Sequence, residues 1–221
     1  MTVTLALDTA TAQVGVALAT DHGPAGHLTL QAGRRHGETL APAIQALTRL
    51  AGVPLSSVDL VAVDNGPGLF TGLRVGVATA KALGAALGVA VVACSSLDLL
   101  AQRHHRLGRP VASVVDARRG EVFWAVYEPG DDGMMAVTDP AVAAPDAVAG
   151  ELARIAGLIV TGDGARRYFA SGALDVAPAE YDHPSAVVLA ELALTRPARS
   201  AEKVTATYLR GADVRIGWEQ R

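Results

Sequence analysis

The feature that most constrains this chain is an abrupt break between an aliphatic run and a long helical pattern. Val58 to Val63 has the composition of a buried strand, and Asp64-Asn65-Gly66-Pro67-Gly68 ends it at once. The pattern from Phe70 to Leu87 predicts a helix, which leads into a second apolar run from Val89 to Ala93. Because a strand, a glycine turn, a helix and another strand form the unit of α/β proteins, we expect that class.

The predicted helix carries a small residue at every fourth position, namely Gly72, Gly76, Ala80, Gly84 and Gly88. Residues at this spacing share one helix face, so another backbone can approach that face closely. Each glycine costs about 1 kcal/mol relative to alanine inside a helix, and the stripe therefore needs a packing reason. The spacing leaves open whether the neighbour is the chain's own sheet or a partner protein.

A glycine turn before a helix could hold a phosphate, but the spacing argues against both common phosphate motifs. A P-loop requires Lys and Ser or Thr after its last glycine, whereas Gly72 is followed by Leu73 and Arg74. A dinucleotide fold requires glycines three residues apart, whereas Gly68 and Gly72 are four apart. We therefore predict neither site.

Two halves of the chain repeat one pattern, in which an apolar strand ends at an aspartate and an alternating strand follows. The apolar positions lie six, eight and ten residues after Asp8 and again after Asp116; they are Val14, Val16 and Leu18, and Val122, Trp124 and Val126. We interpret this as a weak internal repeat of two related lobes. The predicted lobes are residues 1–105 and 106–221.

Further helices and strands are predicted from the spacing of apolar residues and from the residues that interrupt them. Apolar residues at helical spacing predict helices over Arg34–Ala51, Asp146–Ala156 and Pro184–Leu194, and short apolar runs predict strands over Gly26–Leu30, Val111–Val115 and Leu158–Val160. Met134–Ala144 is predicted to be a loop rich in small residues.

Composition excludes several classes of protein. With 221 residues and 50% hydrophobic content, the chain is expected to fold autonomously. A net charge of -3 gives no overall field toward nucleic acid, so any contact with RNA is expected to be indirect. The longest uncharged apolar run, Ala82 to Cys94, is shorter than the roughly 20 residues that span a bilayer, and no basic leader is present. We expect a cytoplasmic protein without a membrane segment.

No catalytic constellation emerges from the sequence. Cys94 is the single cysteine and lies in an apolar run, and the six histidines include no pair at the i, i+4 spacing of a metal site. Ser95 and Ser96 follow a strand, but no Gly-x-Ser-x-Gly elbow surrounds them. We predict no catalytic residue, no metal and no cofactor.

Several segments together resemble the TsaB family, the dimerisation subunit of the bacterial machinery that makes tRNA threonylcarbamoyladenosine. The segments are LALDTAT at 5–11, NGPGLFTGLRVG at 65–76, ATAKAL at 78–83, DARRGEVFWAVY at 116–127, GDGA at 162–165 and YLR at 208–210. The glycine segment is shared in part with TsaD, the catalytic paralogue. TsaD-type proteins are longer and carry a metal-binding His-x-x-x-His, which is missing here.

The resemblance implies two actin-like lobes of the sugar kinase, Hsp70 and actin type, with a degenerate nucleotide cleft. It also implies a noncatalytic scaffold that binds TsaD through a helical bundle, with the ATPase TsaE joining the complex. In isolation the exposed helix pair is expected to form a homodimer. The expected interface residues are His36, Leu40, Ile44, Leu47, Gly72, Leu73, Gly76, Val77 and Ala80, and the expected vestigial cleft comprises Asp8, Thr9, Asp64, Gly66 and Gly68.

Two alternative functions remain open: a kinase-like ATPase, and a peptidase of the kind implied by the family's older glycoprotease label. The turn after Asp8 has no glycine, so the side chains of Thr9 and Thr11 would crowd a phosphate. If the small-residue stripe packs on a partner, Gly76→Leu should block association and leave the monomer folded.

Overall fold

The computed structural model describes residues 2–210 and contains two mixed β-sheets. The first sheet has the strand order β3-β2-β1-β4-β5. Its strands are β1 (Thr4–Asp8), β2 (Gln13–Thr20), β3 (Gly23–Gln31), β4 (Leu60–Asp64) and β5 (Ala90–Cys94). Helices α1 (His36–Ala51) and α2 (Phe70–Leu87) connect them, and α3 (Ser96–Gln102) leads to the second sheet.

The second sheet has the order β11-β10-β6-β7-β8, and β9 also pairs with β7. Its strands are β6 (Val111–Arg118), β7 (Glu121–Gly130), β8 (Gly133–Ala136), β9 (Ala141–Ala143), β10 (Ile159–Thr161) and β11 (Asp175–Val176). Helices α4 (Pro145–Leu152) and α5 (Asp163–Phe169) belong to this half, and α6 (Ala186–Ala193) follows β11.

The two sheets share one topology, which confirms the repeat predicted from the hairpins. In the first sheet β1 is antiparallel to β2 and parallel to β4, which is parallel to β5. In the second, β6 is antiparallel to β7 and parallel to β10, which is parallel to β11. The hairpin turns differ, because Asp8 pairs with Gly15 whereas Asp116 pairs with Val122 and is followed by a bulge.

Both faces of the first sheet are covered, which explains why its central strands are nearly continuous in apolar residues. Helices α1 and α2 cover one face, where Leu40 and Val77 pack with Leu7 and Val63. Helix α6 covers the other face, where Leu189 and its neighbours pack on small residues. These small residues of the sheet are Ala6, Ala17 and Ala62.

The position of α6 corrects the predicted lobe boundary. Residues 186–204 return to the first sheet: Arg199 pairs with Val91 on β5, and the Lys81 ammonium donates to the carbonyls of Glu202 and Val204. The predicted C-terminal lobe, 106–221, is therefore not one structural unit. The small apolar residues of α6 do not indicate in the sequence which of the two sheets the helix will cover. Residues 211–221 of that predicted lobe lie outside the described residues.

Most predicted elements are confirmed with shifted ends, and α2 has the predicted limits. It ends because Gly88 adopts φ +71° and its amide caps the Gly84 carbonyl. The loop predicted over Met134–Ala144 is wrong, since most of β8 and all of β9 fall within it and pair with opposite ends of the long strand β7. Helix α4 also ends at Leu152 instead of Ala156.

The small-residue stripe of α2 packs inside the chain. A Cβ atom on Gly72 would overlap the Thr9 carbonyl oxygen, and one on Gly76 would overlap Thr9 Oγ1. The Thr9 hydroxyl donates to the Gly72 carbonyl at 2.8 Å. Further along, a Cβ on Gly84 would lie 2.7 Å from Val91 Cγ2. The stripe's neighbour is therefore the turn after β1 together with β5, and a bulky residue at Gly76 would disrupt the monomer itself.

A matched pair of substitutions tests this packing. Gly72→Ala should lower the free energy of unfolding by about 2–3 kcal/mol, because the added methyl group meets a backbone carbonyl that cannot move independently. Gly150→Ala, in α4 and with nothing within 4 Å of its Cβ position, should raise it by roughly 0.5–1 kcal/mol. Urea unfolding measures both, and a Gly72→Ala protein as stable as wild type would contradict the packing.

Candidate functional site

The nine residues predicted as a partner interface are all buried within the monomer. They are His36, Leu40, Ile44 and Leu47 on α1, and Gly72, Leu73, Gly76, Val77 and Ala80 on α2. An apolar helix face can pack either on a partner or on the chain's own sheet. Here the apolar faces of α1 and α2 pack on the first sheet. The choice of these side chains is corrected: a partner that docks on α1 and α2 has to contact the opposite side of each helix.

The opposite side of α1 and α2 presents a strip of uncharged, mostly small residues to solvent, bordered by the exposed charged residues Glu38, Arg49 and Arg74. We call it the outer face; it comprises Ala41, Pro42 and Gln45 of α1 and Thr71, Val75, Ala78, Ala82 and Ala85 of α2. All are exposed except Val75, which is half-buried. The two helices contact each other where Gly37 faces Val75. The sequence contained a signal for this face, since Ala78, Ala82 and Ala85 form a second stripe half a turn away from the glycines.

The predicted cleft residues do come together, at the carboxyl ends of the adjacent parallel strands β1 and β4. Asp8 ends β1, Asp64 ends β4, and both carboxyl groups are buried. Asp64 Oδ1 accepts hydrogen bonds from Ser96 Oγ at 2.6 Å and from the Gly66 amide at 2.8 Å. Asp8 Oδ1 accepts from the Ala10 amide at 3.0 Å. Each carboxyl group therefore already holds its own neighbouring turn.

Burial raises the pKa of both carboxyl groups, since an apolar surrounding disfavours the charged form. The negative charge of Asp64 raises the pKa of Asp8 further. Hydrogen bonds from Ser96 and Gly66 oppose this rise at Asp64, so Asp8 is the better proton carrier. Within residues 2–210, Asp64 Oδ2 lacks a donor unless Asp8 is protonated and supplies it. This arrangement predicts that Asp8 and Asp64 share one proton.

The turn between β1 and β2 is closed by contacts within the chain. The Ala10 carbonyl accepts from the Leu69 amide at 2.7 Å, and the Thr11 carbonyl lies 2.7 Å from His36 Nε2. Thr9 is fully buried, and a Cβ on Gly68 would overlap the Ala10 carbonyl oxygen. The glycines of the 66–68 turn therefore admit the chain's own backbone. A phosphate could not approach the turn without displacing these contacts.

An open cleft of about 580 Å³ lies between the two halves of the molecule. Its walls come from the start of α2, from the β6–β7 turn and from residues 207–210. Leu69, Phe123 and Leu209 contribute apolar surface, whereas Arg74 and Arg118 contribute guanidinium groups. Sequence reasoning used the β6–β7 turn only in the internal repeat and in the family resemblance. The signal that was missed is the pair of consecutive arginines.

The β6–β7 turn holds those two arginines in an unusual backbone conformation. Arg118 and Arg119 have φ values of +62° and +56°, a region that side chains other than glycine rarely adopt. Asp116 stabilises the turn, because its Oδ1 accepts from the Arg118 amide at 2.8 Å and its Oδ2 pairs with the Arg118 guanidinium at 3.0 Å. The side chain of Arg118 is thereby directed along the cleft wall.

Residues 205–210 connect the two halves across the mouth of the cleft. On one side, Asn65 Nδ2 donates to the Thr205 carbonyl and to Thr207 Oγ1, both at 3.1 Å. On the other side, Arg210 donates to the Ala117 carbonyl at 3.3 Å and pairs with Glu121. The cleft is therefore bounded by a segment that is fixed at both ends.

Comparison with known proteins identifies the family. The chain matches the family described as TsaD: tRNA N6-adenosine threonylcarbamoyltransferase over residues 21–181. It is 34% identical over 132 residues to the tRNA threonylcarbamoyladenosine biosynthesis protein TsaB of Escherichia coli (strain K12). A Pseudomonas aeruginosa crystal structure, described as an uncharacterized protein with similarity to peptidase YEAZ, has a TM-score of 0.82 at 33% identity and covers 95% of this chain and 100% of that one. The chain belongs to the TsaB family.

The extent of the sequence matches is limited. The alignment with E. coli TsaB covers 59% of this chain and 57% of that protein. An uncharacterized protein of Mycobacterium leprae (strain TN) is 40% identical over 150 residues, which is 66% of this chain and 40% of that protein. The ethanolamine utilization protein EutJ of Carboxydothermus hydrogenoformans is 13% identical with a TM-score of 0.52, covers 86% and 87% of the two chains, and shows the fold alone. The predicted two-lobed actin-like fold is confirmed.

The peptidase name carried by a TsaB-family relative directs attention to the nucleophiles near the end of β5. Ser96 is buried and donates to Asp64, while Ser95 Oγ accepts from the Leu97 amide as the N-cap of α3. Cys94 is buried, and desolvation raises the pKa of its thiol to about 12. These three groups are occupied in folding contacts, and none of them is poised as an exposed nucleophile.

The buried acid pair makes a prediction about pH. Because the folded state raises the pKa of Asp8, its stabilising contribution is complete below the unfolded pKa of about 3.9 and is lost as pH rises through the folded value. Asp8→Asn keeps the acceptor for Ala10 and a donor for Asp64 without titrating. Wild-type stability should therefore fall relative to the variant as pH rises above 3.9, which urea unfolding across this range measures. Exposed Asp139→Asn is the control, and parallel curves for wild type and Asp8→Asn would refute the shared proton.

Proposed function

We propose that this chain is a noncatalytic subunit in the formation of threonylcarbamoyladenosine in tRNA, next to the anticodon. In this role it binds a TsaD-type paralogue and supports it, while the partner carries out the transfer. The names of the TsaB relatives support a role in the biosynthesis of tRNA threonylcarbamoyladenosine. The observation that carries the binding role is the outer face of α1 and α2.

The composition of the outer face suits the close approach of a second helix pair. Small side chains such as Ala78 and Ala82 hold a neighbouring helix near the α2 backbone, and uncharged groups can be buried without an ion partner. Helix α2 carries small side chains on two opposite faces, because glycines face the sheet and alanines face outward. Two such helices packed on two helices of a partner would form a four-helix bundle.

The cleft geometry supports a noncatalytic role. Asp8 and Asp64 accept hydrogen bonds from their own turns, and the β1–β2 turn is closed by Leu69 and His36. Within residues 2–210 no three His, Cys, Asp or Glu side chains are grouped as metal ligands would be. The chemistry is therefore assigned to the partner.

The remaining relationships follow from this role. TsaE joins as the ATPase of the complex, and tRNA contact is delegated to the partner because the net charge of this chain is -3. Without a partner, the outer face associates with a second copy of itself. No helix in the described part of the chain is long and apolar enough to cross a membrane. We place the complex in the cytoplasm, with its tRNA substrate.

Charge introduced into the outer face tests the binding role. Ala78→Glu should weaken association with the TsaD-type protein by about a hundredfold or more, because the carboxylate would be buried without a partner. The monomer should keep its melting temperature, since Ala78 is exposed. Isothermal titration calorimetry gives the affinity, and mass spectrometry of tRNA from complemented cells gives the modification.

The matched control is Ala147→Glu, an exposed alanine on helix α4 of the second sheet. It should bind and complement like wild type. If Ala78→Glu binds the TsaD-type protein as tightly as this control does, the outer face is not the docking surface.

The kinase-like alternative has a direct test. Purified protein mixed with ATP and magnesium should give no binding isotherm and no phosphate release, because the β1–β2 turn is already packed against the start of α2. Micromolar binding that Asp8→Asn abolishes would favour the kinase-like function instead. The peptidase alternative requires cleavage of an unfolded protein that is lost in Ser95→Ala or Ser96→Ala.

A further inference from the structure

We propose that the cleft between the two halves receives an acidic peptide segment of the protein that docks on the outer face. The segment carries a carboxylate that pairs with the arginines and an apolar side chain that enters the cleft. The proposal rests on the proposed function, because it assigns a second contact to the same partner.

The charge at the mouth of the cleft is the first argument. Arg74, Arg118 and Arg210 bring guanidinium groups to it, and about half of the Arg118 side chain is exposed. The acidic residues Asp116 and Glu121 each pair with one of these arginines. With Arg119, four arginines line the cleft, and against the two carboxylates they leave a positive excess that attracts an anionic group.

The inner surface of the cleft is the second argument. Leu69, Phe123 and Leu209 line it, and Phe70 and Tyr208 are about half exposed with their ring centroids 5.4 Å apart. An apolar pocket with a cationic rim recognises a ligand that is apolar at one end and anionic at the other. Single exposed apolar residues are ordinary, but here they are grouped in a concave space of about 580 Å³.

Continuity with the outer face is the third argument. Phe70 and Arg74 lie in the first turns of α2, and the neighbouring positions Thr71 and Val75 belong to the outer face. One helical turn rises about 5.4 Å, so a partner chain that follows α2 toward its start reaches the cleft without a long excursion. The Arg74 guanidinium lies 3.8 Å from the centre of the Phe70 ring and stands between the two surfaces.

The chemistry favours a carboxylate over a nucleotide. Phosphate sites draw on free backbone amides, but the Arg118 amide already donates to Asp116 and the Leu69 amide to Ala10. Guanidinium groups remain, and their planar fork matches a carboxylate in a bidentate manner.

The experiment measures affinity for the purified TsaD-type protein by calorimetry at low and high salt. The double variant Arg74→Gln, Arg118→Asn removes two cations, and asparagine suits the left-handed backbone at position 118. We expect its affinity to fall by about fivefold to tenfold at low salt, with a weaker dependence on salt than wild type. Arg154→Gln, an exposed arginine after α4, is the control and should bind like wild type.

The outcomes separate this proposal from the docking role. Wild-type affinity and salt dependence in the double variant, with Ala78→Glu still disrupting the complex, would overturn the cleft proposal and leave the proposed function standing. If Ala78→Glu also binds normally, the proposed function fails as well. Magnesium-ADP is the second probe. If it binds the wild type, competes with the TsaD-type protein and does not bind the double variant, the cleft is a nucleotide site and the peptide proposal is overturned. A melting temperature equal to wild type validates each variant.

Discussion

The close contact between α2 and the turn after β1 determines much of the first half of the molecule. Gly72 and Gly76 place the helix backbone against Thr9, and the Thr9 hydroxyl donates to the Gly72 carbonyl. This contact closes the turn between β1 and β2. It also fixes the rotation of α2, so that the side of the helix opposite the glycines faces solvent. A buried structural contact thereby selects which residues can meet a partner.

The limits of prediction from this sequence follow from what periodicity can express. A spacing of four residues indicates which side chains share a helix face, so the small-residue stripe of α2 was predictable. The ends of α2 were predictable as well. The spacing does not indicate what lies across from that face, and the stripe's neighbour needed the structure. The cleft set from Asp8 to Gly68 came from the family resemblance, and the structure brings Asp8 and Asp64 together because each ends one of two adjacent parallel strands. The attachment of α6 was not predictable, since its partners Ala6 and Ala62 lie far away in sequence.

The two halves share one topology, but the turn that follows the first strand differs between them. In the first, the turn after the aspartate is buried under a helix, and burial raises the pKa of the aspartate carboxyl group. In the second, the equivalent aspartate is also buried, but it lines the cleft and holds Arg118 in a left-handed turn. The two halves share a strand order, and their turns differ because a turn can change without disturbing the strands that carry it.

Helix α6 also sets the order in which this protein can become complete during synthesis. The last strand of the first sheet ends at Cys94, but the helix that covers the sheet's second face ends at Ala193. At about 5–20 residues per second, the ribosome needs roughly 5–20 s to add the intervening segment. During that interval Ala6, Ala17 and Ala62 lie on an uncovered apolar surface. The N-terminal half is thus the first to emerge and among the last to be finished, and a truncated chain that ends before α6 leaves that surface open to aggregation.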